Sequence, residues 1–110
     1  MKIITVPLSK EAMYRLDYNE SVDGDLLELD LNDNQLYLLN KVNLFELINS
    51  NLGLNIDDYE DESVQDMSKL ENLRDILKNV SNKDNENIIN SILLLVNTAL
   101  NKKTGVFFYF

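Results

Sequence analysis

The chain has 110 residues, 45% of them hydrophobic, with 3 Gly and 1 Pro, and this composition predicts a single globular domain over residues 1–110. It contains no Cys and no His, which excludes disulfides, thiolate chemistry, His-ligated zinc and the usual catalytic triads. Its 19 acidic and 10 basic residues give a net charge of -9, which disfavours direct nucleic-acid binding and suits either a basic protein partner or mere solubility.

The apolar stretches are too short for membrane insertion. Met1–Leu8 lacks the length and the small-residue cleavage site of a signal peptide. The runs Ile92–Val96 and Val106–Phe110 fall far below the roughly 18 residues that a membrane helix needs. We therefore expect a cytoplasmic protein with no membrane contact.

The first elements are a strand and a helix. Lys2–Leu8 is rich in β-branched residues and has Pro7 near its end, which predicts a strand that could lie at a sheet edge. Ser9 is placed to cap a helix over Lys10–Tyr18.

A polar connection, a strand and an ambiguous segment follow. Asn19–Asp25 predicts a flexible connection. Leu26–Leu31 alternates apolar and acidic residues, so it predicts a strand with one wet face. Gln35–Leu39 fits either a hairpin strand or a helix, and a helix is favoured because apolar residues continue at helical spacing beyond it.

The next helix has clear ends. Asn43 and Glu46 have the spacing of a capping box, which predicts a helix over Leu44–Leu52. Gly53 stands where a left-handed residue closes a helix.

The segment after it joins an acidic loop to an amphipathic helix. Ser68 and Glu71 form a second capping box, so this helix should begin near Lys69. Glu71 and Asp75 fall opposite an apolar stripe, and Arg74 and Lys78 can offset their repulsion. The stripe consists of Leu70, Leu73, Ile76, Leu77 and Val80.

The chain closes with a helix and a strand. Asp84 or Asn85 caps a helix that runs to Lys102. Val106–Phe110 predicts a buried strand rather than a binding platform, since no basic residues interleave with its aromatics. The short link favours a right-handed β–α–β crossover. The predicted fold is α/β, a small sheet of about three strands that includes both chain ends, packed by three or four helices.

The acidic loop and the helix after it form the candidate partner-binding site. Calcium-loop spacing fails, because counting from Asp57 places Glu62 where glycine is needed and Ser68 where glutamate is needed. Two outward carboxylates on one helix do not make a glycosidase pair, so we predict no enzyme activity, no metal and no cofactor. The candidate residues are Asp57, Asp58, Tyr59, Glu60, Asp61, Glu62, Asp66, Glu71 and Asp75.

The run from Leu70 to Leu77, Leu-Glu-Asn-Leu-Arg-Asp-Ile-Leu, resembles the second helix of the barstar family, intracellular inhibitors of secreted bacterial ribonucleases. The order of predicted elements from Leu26 onward is similar as well. The resemblance implies that Tyr59, Glu71 and Asp75 plug a nuclease active site. The chain departs from the family by having Arg74 in place of its Trp and by a longer loop before the helix.

These observations predict an acidic immunity protein that binds and occludes a basic toxin, with a nuclease as the favoured target. Two alternatives remain open. The first is a phage or mobile-element protein that imitates DNA in order to block a nucleic-acid enzyme. The second is a regulatory or structural subunit whose acidity serves only solubility.

Overall fold

The computed structural model describes residues 1–58 and 60–110. Within these ranges four strands form one sheet, and five helices pack around it. The α/β class and the inclusion of both chain ends in the sheet are confirmed, whereas the predicted numbers of about three strands and three or four helices are too low. The elements are β1 (Lys2–Pro7), α1 (Lys10–Asp17), β2 (Leu26–Leu31), α2 (Asp33–Lys41), α3 (Leu44–Leu52), β3 (Glu62–Val64), α4 (Met67–Val80), α5 (Glu86–Lys102) and β4 (Val106–Tyr109).

β1 and β4 form the centre of the sheet, whose order is β2-β1-β4-β3 with every neighbouring pair antiparallel. The prediction that β1 could lie at an edge is wrong, and Pro7 is tolerated because it is the last residue of the strand. The predicted β–α–β crossover into β4 is also wrong. A short link keeps β4 close to α5, but it does not set the direction in which the neighbouring strands run.

The edge strand β3 lies inside the segment that the sequence presents only as an acidic loop. It has three residues, two of them polar, so an alternating pattern has no length over which to show. It pairs through Glu62 with Phe108, Ser63 with Phe107, and Val64 with Val106.

The two faces of the sheet have different environments. Residues directly opposite each other share a face, and Ile4, Leu29 and Phe108 lie side by side on the face that we call inner. Ile4 and Phe108 are 0% and 1% exposed and belong to the core cluster with α3, α4 and α5. The other face carries Phe107 and Tyr109, which are only half-buried, so the prediction of a fully buried last strand holds for alternate residues alone.

Two predicted helices are confirmed, although one cap is not. Gln35–Leu39 lies in α2, which begins with a capping box in which the Gln35 N–H donates to Asn32 Oδ1 at 2.8 Å and the Asn32 N–H donates to Gln35 Oε1 at 2.9 Å. α3 has the predicted bounds, and Gly53 closes it with φ 67°. Asn43 is left-handed with φ 54° and makes no side-chain cap, because a capping residue needs extended backbone.

The turn between α4 and α5 is held by a buried asparagine. Asn85 occupies the N-cap position of α5, but its side chain does not cap the helix. Its Oδ1 instead accepts from the Asn82 N–H at 2.7 Å, and its Nδ2 donates to the Val80 carbonyl at 3.0 Å. The side chain of the predicted cap Asn85 therefore connects the end of α4 to the start of α5 by hydrogen bonds.

The connection from α1 to β2, which we expected to be flexible, contains a charged clamp. Arg15 donates from Nε and Nη2 to the two oxygens of Asp25, each at 2.7 Å. Asp25 is 5% exposed and also accepts from the Val22 N–H at 3.0 Å. These hydrogen bonds, first that of Arg15 and then that of Val22, lower the pKa of Asp25 from 3.8 to about 2.

Asp25→Asn is expected to weaken the fold at neutral pH and to remove part of its acid sensitivity. Because the folded pKa lies below the unfolded one, the carboxylate stabilises the protein fully above about pH 4, and this contribution is lost as the pH falls towards 2. Urea unfolding at several pH values measures the effect. Asp23→Asn, which changes an exposed acid in the same connection, should keep the wild-type slope. If the free energy of unfolding depended on pH equally in both variants, the proposed role of the Arg15–Asp25 pair would be contradicted.

Thr5→Val is expected to stabilise the protein by about 1 kcal/mol. Thr5 is 1% exposed, and its hydroxyl has no hydrogen-bond partner among the described residues, so valine removes an unsatisfied polar group at nearly constant volume. Thr104→Val is the matched control. Thr104 is equally buried, but its hydroxyl donates to the Pro7 carbonyl at 2.7 Å, so this variant should lose about 1 kcal/mol. Chemical denaturation measures the change in stability of both variants. If both variants were stabilised, or both destabilised, the different hydrogen-bonding states of the two hydroxyls would be contradicted.

Candidate functional site

The acidic loop is organised by one asparagine. Asn55 donates from its backbone N–H to Glu62 Oε1 at 3.3 Å and from Nδ2 to Glu60 Oε2 at 3.1 Å. The Glu60 N–H in turn donates to Asp57 Oδ1 at 2.9 Å. Asn55 therefore holds the carboxylates of both Glu60 and Glu62, and the Glu60 backbone in turn holds that of Asp57. Asp57, Asp58, Glu60 and Asp61 are exposed, and Glu62 is half-buried.

Lys2 reaches this loop from the other end of the chain. Its ammonium forms an ion pair with Asp58 and lies 5.4 Å from the centre of the Phe110 ring. The Asp58 side chain keeps 64% of its surface exposed, so we expect the pair to contribute at most about 1 kcal/mol. The sequence alone does not indicate the ion pair between Lys2 and Asp58, because Lys2 comes close to this loop through the pairing of β1 with β4. The predicted aromatic anchor, Tyr59, lies outside the described residues.

α4 begins two residues earlier than predicted. Asp66 is the N-cap, and its side chain accepts from the Lys69 N–H at 3.2 Å. The capping box expected from Ser68 and Glu71 is therefore wrong, since Asp66 already satisfies a donor of the first turn. The acid at 66 has a structural task, and it sits where the helix dipole favours negative charge.

Glu71 and Asp75 lie exposed on α4, as predicted. They are held there because Leu70, Leu73 and Leu77 on the opposite side of the helix are each 0% exposed. Neither acid forms an ion pair in the part of the chain that the structure describes. Arg74 and Lys78 thus do not pair with them as the sequence suggested.

The charge of α4 itself is mixed. Between Met67 and Val80 the helix carries three basic and two acidic residues. At 100° per residue, Lys78 falls on the same face as Glu71 and Asp75, one turn further along. The helix therefore presents a compact acid pair followed by a base, and the continuous acidic stretch is the loop before β3.

A groove runs between α3 and α4 beside Asp75. Its volume is about 250 Å³, and Leu47, which is 37% exposed, supplies apolar surface next to Ile76. Amide side chains complete the lining, so the groove combines a small apolar floor with one carboxylate. No pattern in the sequence placed α3 beside Asp75. The lining residues are Leu47, Asn51, Asn72, Asp75, Ile76, Asn79 and Val80.

The predicted site residues thus separate into two groups. Glu71 and Asp75 share one face of α4, where Asp75 lines the α3–α4 groove, whereas Asn55 holds the loop acids Glu60 and Glu62 at the start of β3. Across the described ranges, no three acidic side chains converge in a way that could hold a metal ion. None of the helices described is long and apolar enough to cross a bilayer.

Comparison with protein-family models, with curated proteins and with solved structures found no match to this chain. The resemblance to the barstar family therefore stays a prediction based on the run from Leu70 to Leu77.

Asp66→Ala is expected to destabilise the protein by about 1 kcal/mol, because it removes the side-chain acceptor at the start of α4. Ser68→Ala is the control and should change stability by only a few tenths of a kcal/mol. Thermal and urea unfolding measure both. If Ser68→Ala lost more stability than Asp66→Ala, the result would support the capping box that the sequence suggested.

Proposed function

We propose that this protein is a cytoplasmic inhibitor of the immunity type, which binds a basic toxin, with a nuclease as the favoured target, and occludes its active site. The observation that supports this most is the outward pair Glu71 and Asp75, held by a buried stripe and left without an ion partner in the described ranges. An active site that binds nucleic acid is positively charged, so exposed carboxylates on a rigid helix complement it.

The loop acids extend this surface. From Asp57 to Asp66 there are six acidic residues and no basic one. Their charge would speed association with a basic partner, since complementary fields steer encounter and raise on-rates. Tyr59 would be the aromatic anchor of the contact, as the barstar resemblance implies.

The α3–α4 groove gives the complex a specific contact beside the charges. A partner's aliphatic or basic side chain could enter it with its stem against Leu47 and its head near Asp75. Inhibition on this proposal is steric and electrostatic, and no bond is made or broken. The basic residue Lys78 interrupts the carboxylate row on α4, which favours a compact inhibitory contact over a DNA-like ladder of charges.

Glu71→Lys combined with Asp75→Lys is expected to leave the fold intact and to weaken inhibition about a hundredfold or more, because two pairs with the toxin become repulsive. The neighbouring genes are first searched for a basic nuclease domain, and the assay co-expresses each variant with that domain and measures cell survival and residual nuclease activity.

Asp84→Lys combined with Glu86→Lys is the matched control, with the same charge change at exposed positions before and at the start of α5. It should still protect the cell. Full protection by the α4 variant would move the site elsewhere, and an operon without any toxin domain would count against the immunity function itself.

A further inference from the structure

The outer face of the sheet is left partly open. Thr5, opposite Phe107, is buried, whereas Ile3 and Tyr109 opposite each other are only half-buried. α1 begins at Lys10, and its residues line a cleft with Phe107, so this helix covers part of the face and leaves Tyr109 partly accessible. Phe107 and Tyr109 stack there with ring centres 6.2 Å apart and planes at 17°.

A cleft of about 250 Å³ lies between α1 and Phe107. Tyr14 on α1 is 68% exposed at its border. Lys10 marks the start of α1 and Asp17 its end, so the cleft has a basic and an acidic end. The negative end of the α1 dipole adds to the field near Asp17. The lining residues are Lys10, Met13, Tyr14, Asp17, Gln65 and Phe107.

Carboxylates lie on the same side of the sheet as the open aromatic pair. Asp61 directly precedes Glu62, which pairs with Phe108 next to Tyr109, and Asp17 lines the cleft with Phe107. The pKa of Tyr109 is raised by burial and by the negative charges of Asp61 and Asp17, which agrees with this placement. On β2, Asp30 lies opposite Ile3 and Glu28 opposite Thr5, both exposed and on the same face. Asp17 and Asp61 therefore lie near the stacked rings, and Glu28 and Asp30 lie on the same face of the sheet on β2, which β1 separates from β4.

We propose that this outer face is a second docking surface, which takes an arginine-bearing segment of a basic protein. The planar guanidinium stacks on Tyr109 or Phe107, and its N–H groups donate to Asp17 and Asp61. Arginine fits better than lysine because it can stack on a ring and donate to carboxylates at once. A nucleic acid would bring phosphates next to four acids and is repelled.

The surface is distinct from the α4 face of the proposed inhibitory site and shares with that site only the loop acid Asp61. α4 joins the core on the inner side of the sheet, whereas Phe107 and Tyr109 face the side covered by α1. The inference thus goes beyond the proposed inhibition and does not require it.

The test uses the whole protein and a short peptide with blocked ends and two arginines, compared with the same peptide carrying citrulline, which keeps the shape and removes the charge. NMR titration at low salt should show the arginine peptide shifting the Phe107, Tyr109 and Tyr14 signals. The affinity of the citrulline peptide should be lower by about tenfold or more. Asp17→Asn combined with Asp61→Asn should weaken the arginine peptide about tenfold, since two exposed ion pairs are lost.

The same double variant should also lower the pKa of Tyr109, which checks independently that the two acids act on its ring. Asp84→Asn combined with Glu86→Gln removes equal charge at exposed positions outside both proposed surfaces and should leave peptide binding unchanged. Equal weakening by both pairs would show a response to net charge alone and overturn the proposal, as would equal binding of the citrulline peptide. Because toxin protection is scored separately, failure here leaves the proposed inhibition standing.

Discussion

The pairing of β1 with β4 is the constraint on which the other features depend. It joins Ile3, Ile4 and Thr5 to residues near the other end of the chain, and closing so long a loop has an entropic cost that must be met by burial. Ile4 and Phe108, adjacent on the inner face, are almost fully buried, and each contributes about 1.5–3 kcal/mol on removal from water. The Thr104 hydroxyl bonded to the Pro7 carbonyl adds a buried polar contact across the same seam.

That pairing also distributes the charge. It brings Lys2 to Asp58, so the acidic loop receives a base that its own sequence lacks. Residues 1–66 contain 15 acids and 4 bases, whereas residues 67–110 contain 4 acids and 6 bases, so the negative charge belongs to the first part of the fold. Apart from Lys2 with Asp58, the ion pair found among the described residues is Arg15 with Asp25. So much charge left facing water costs stability by self-repulsion, and a basic partner would relieve that repulsion.

Local patterns predicted local structure well. The bounds of α3, the Ser9 cap of α1 and the outward position of Glu71 and Asp75 follow from spacing along a single helix. The errors arise where a second element decides. Three features depend on which strands are neighbours: the direction of β4, the existence of β3 and the half-burial of Tyr109. Periodicity within one strand carries no information about its neighbours. The predicted caps at Ser68 and Asn43 are wrong for a different reason, because several residue types can cap a helix and only backbone geometry selects among them.

The frequent asparagines, to which the sequence gives no function, explain how the acidic loop keeps its shape. Asn49 on α3 holds the backbone of Ile56 through two hydrogen bonds, accepting from its N–H at 2.8 Å and donating to its carbonyl at 3.1 Å. Ile56 is thereby fixed in the core at 5% exposure, directly before the loop, and Asn55 beside it orients Glu60 and Glu62. Neutral amides can arrange carboxylates without cancelling their negative charge, whereas lysine or arginine would neutralise it. A surface ordered in this way loses less conformational entropy when a partner binds, so its charges can contribute to affinity rather than to the ordering of the loop.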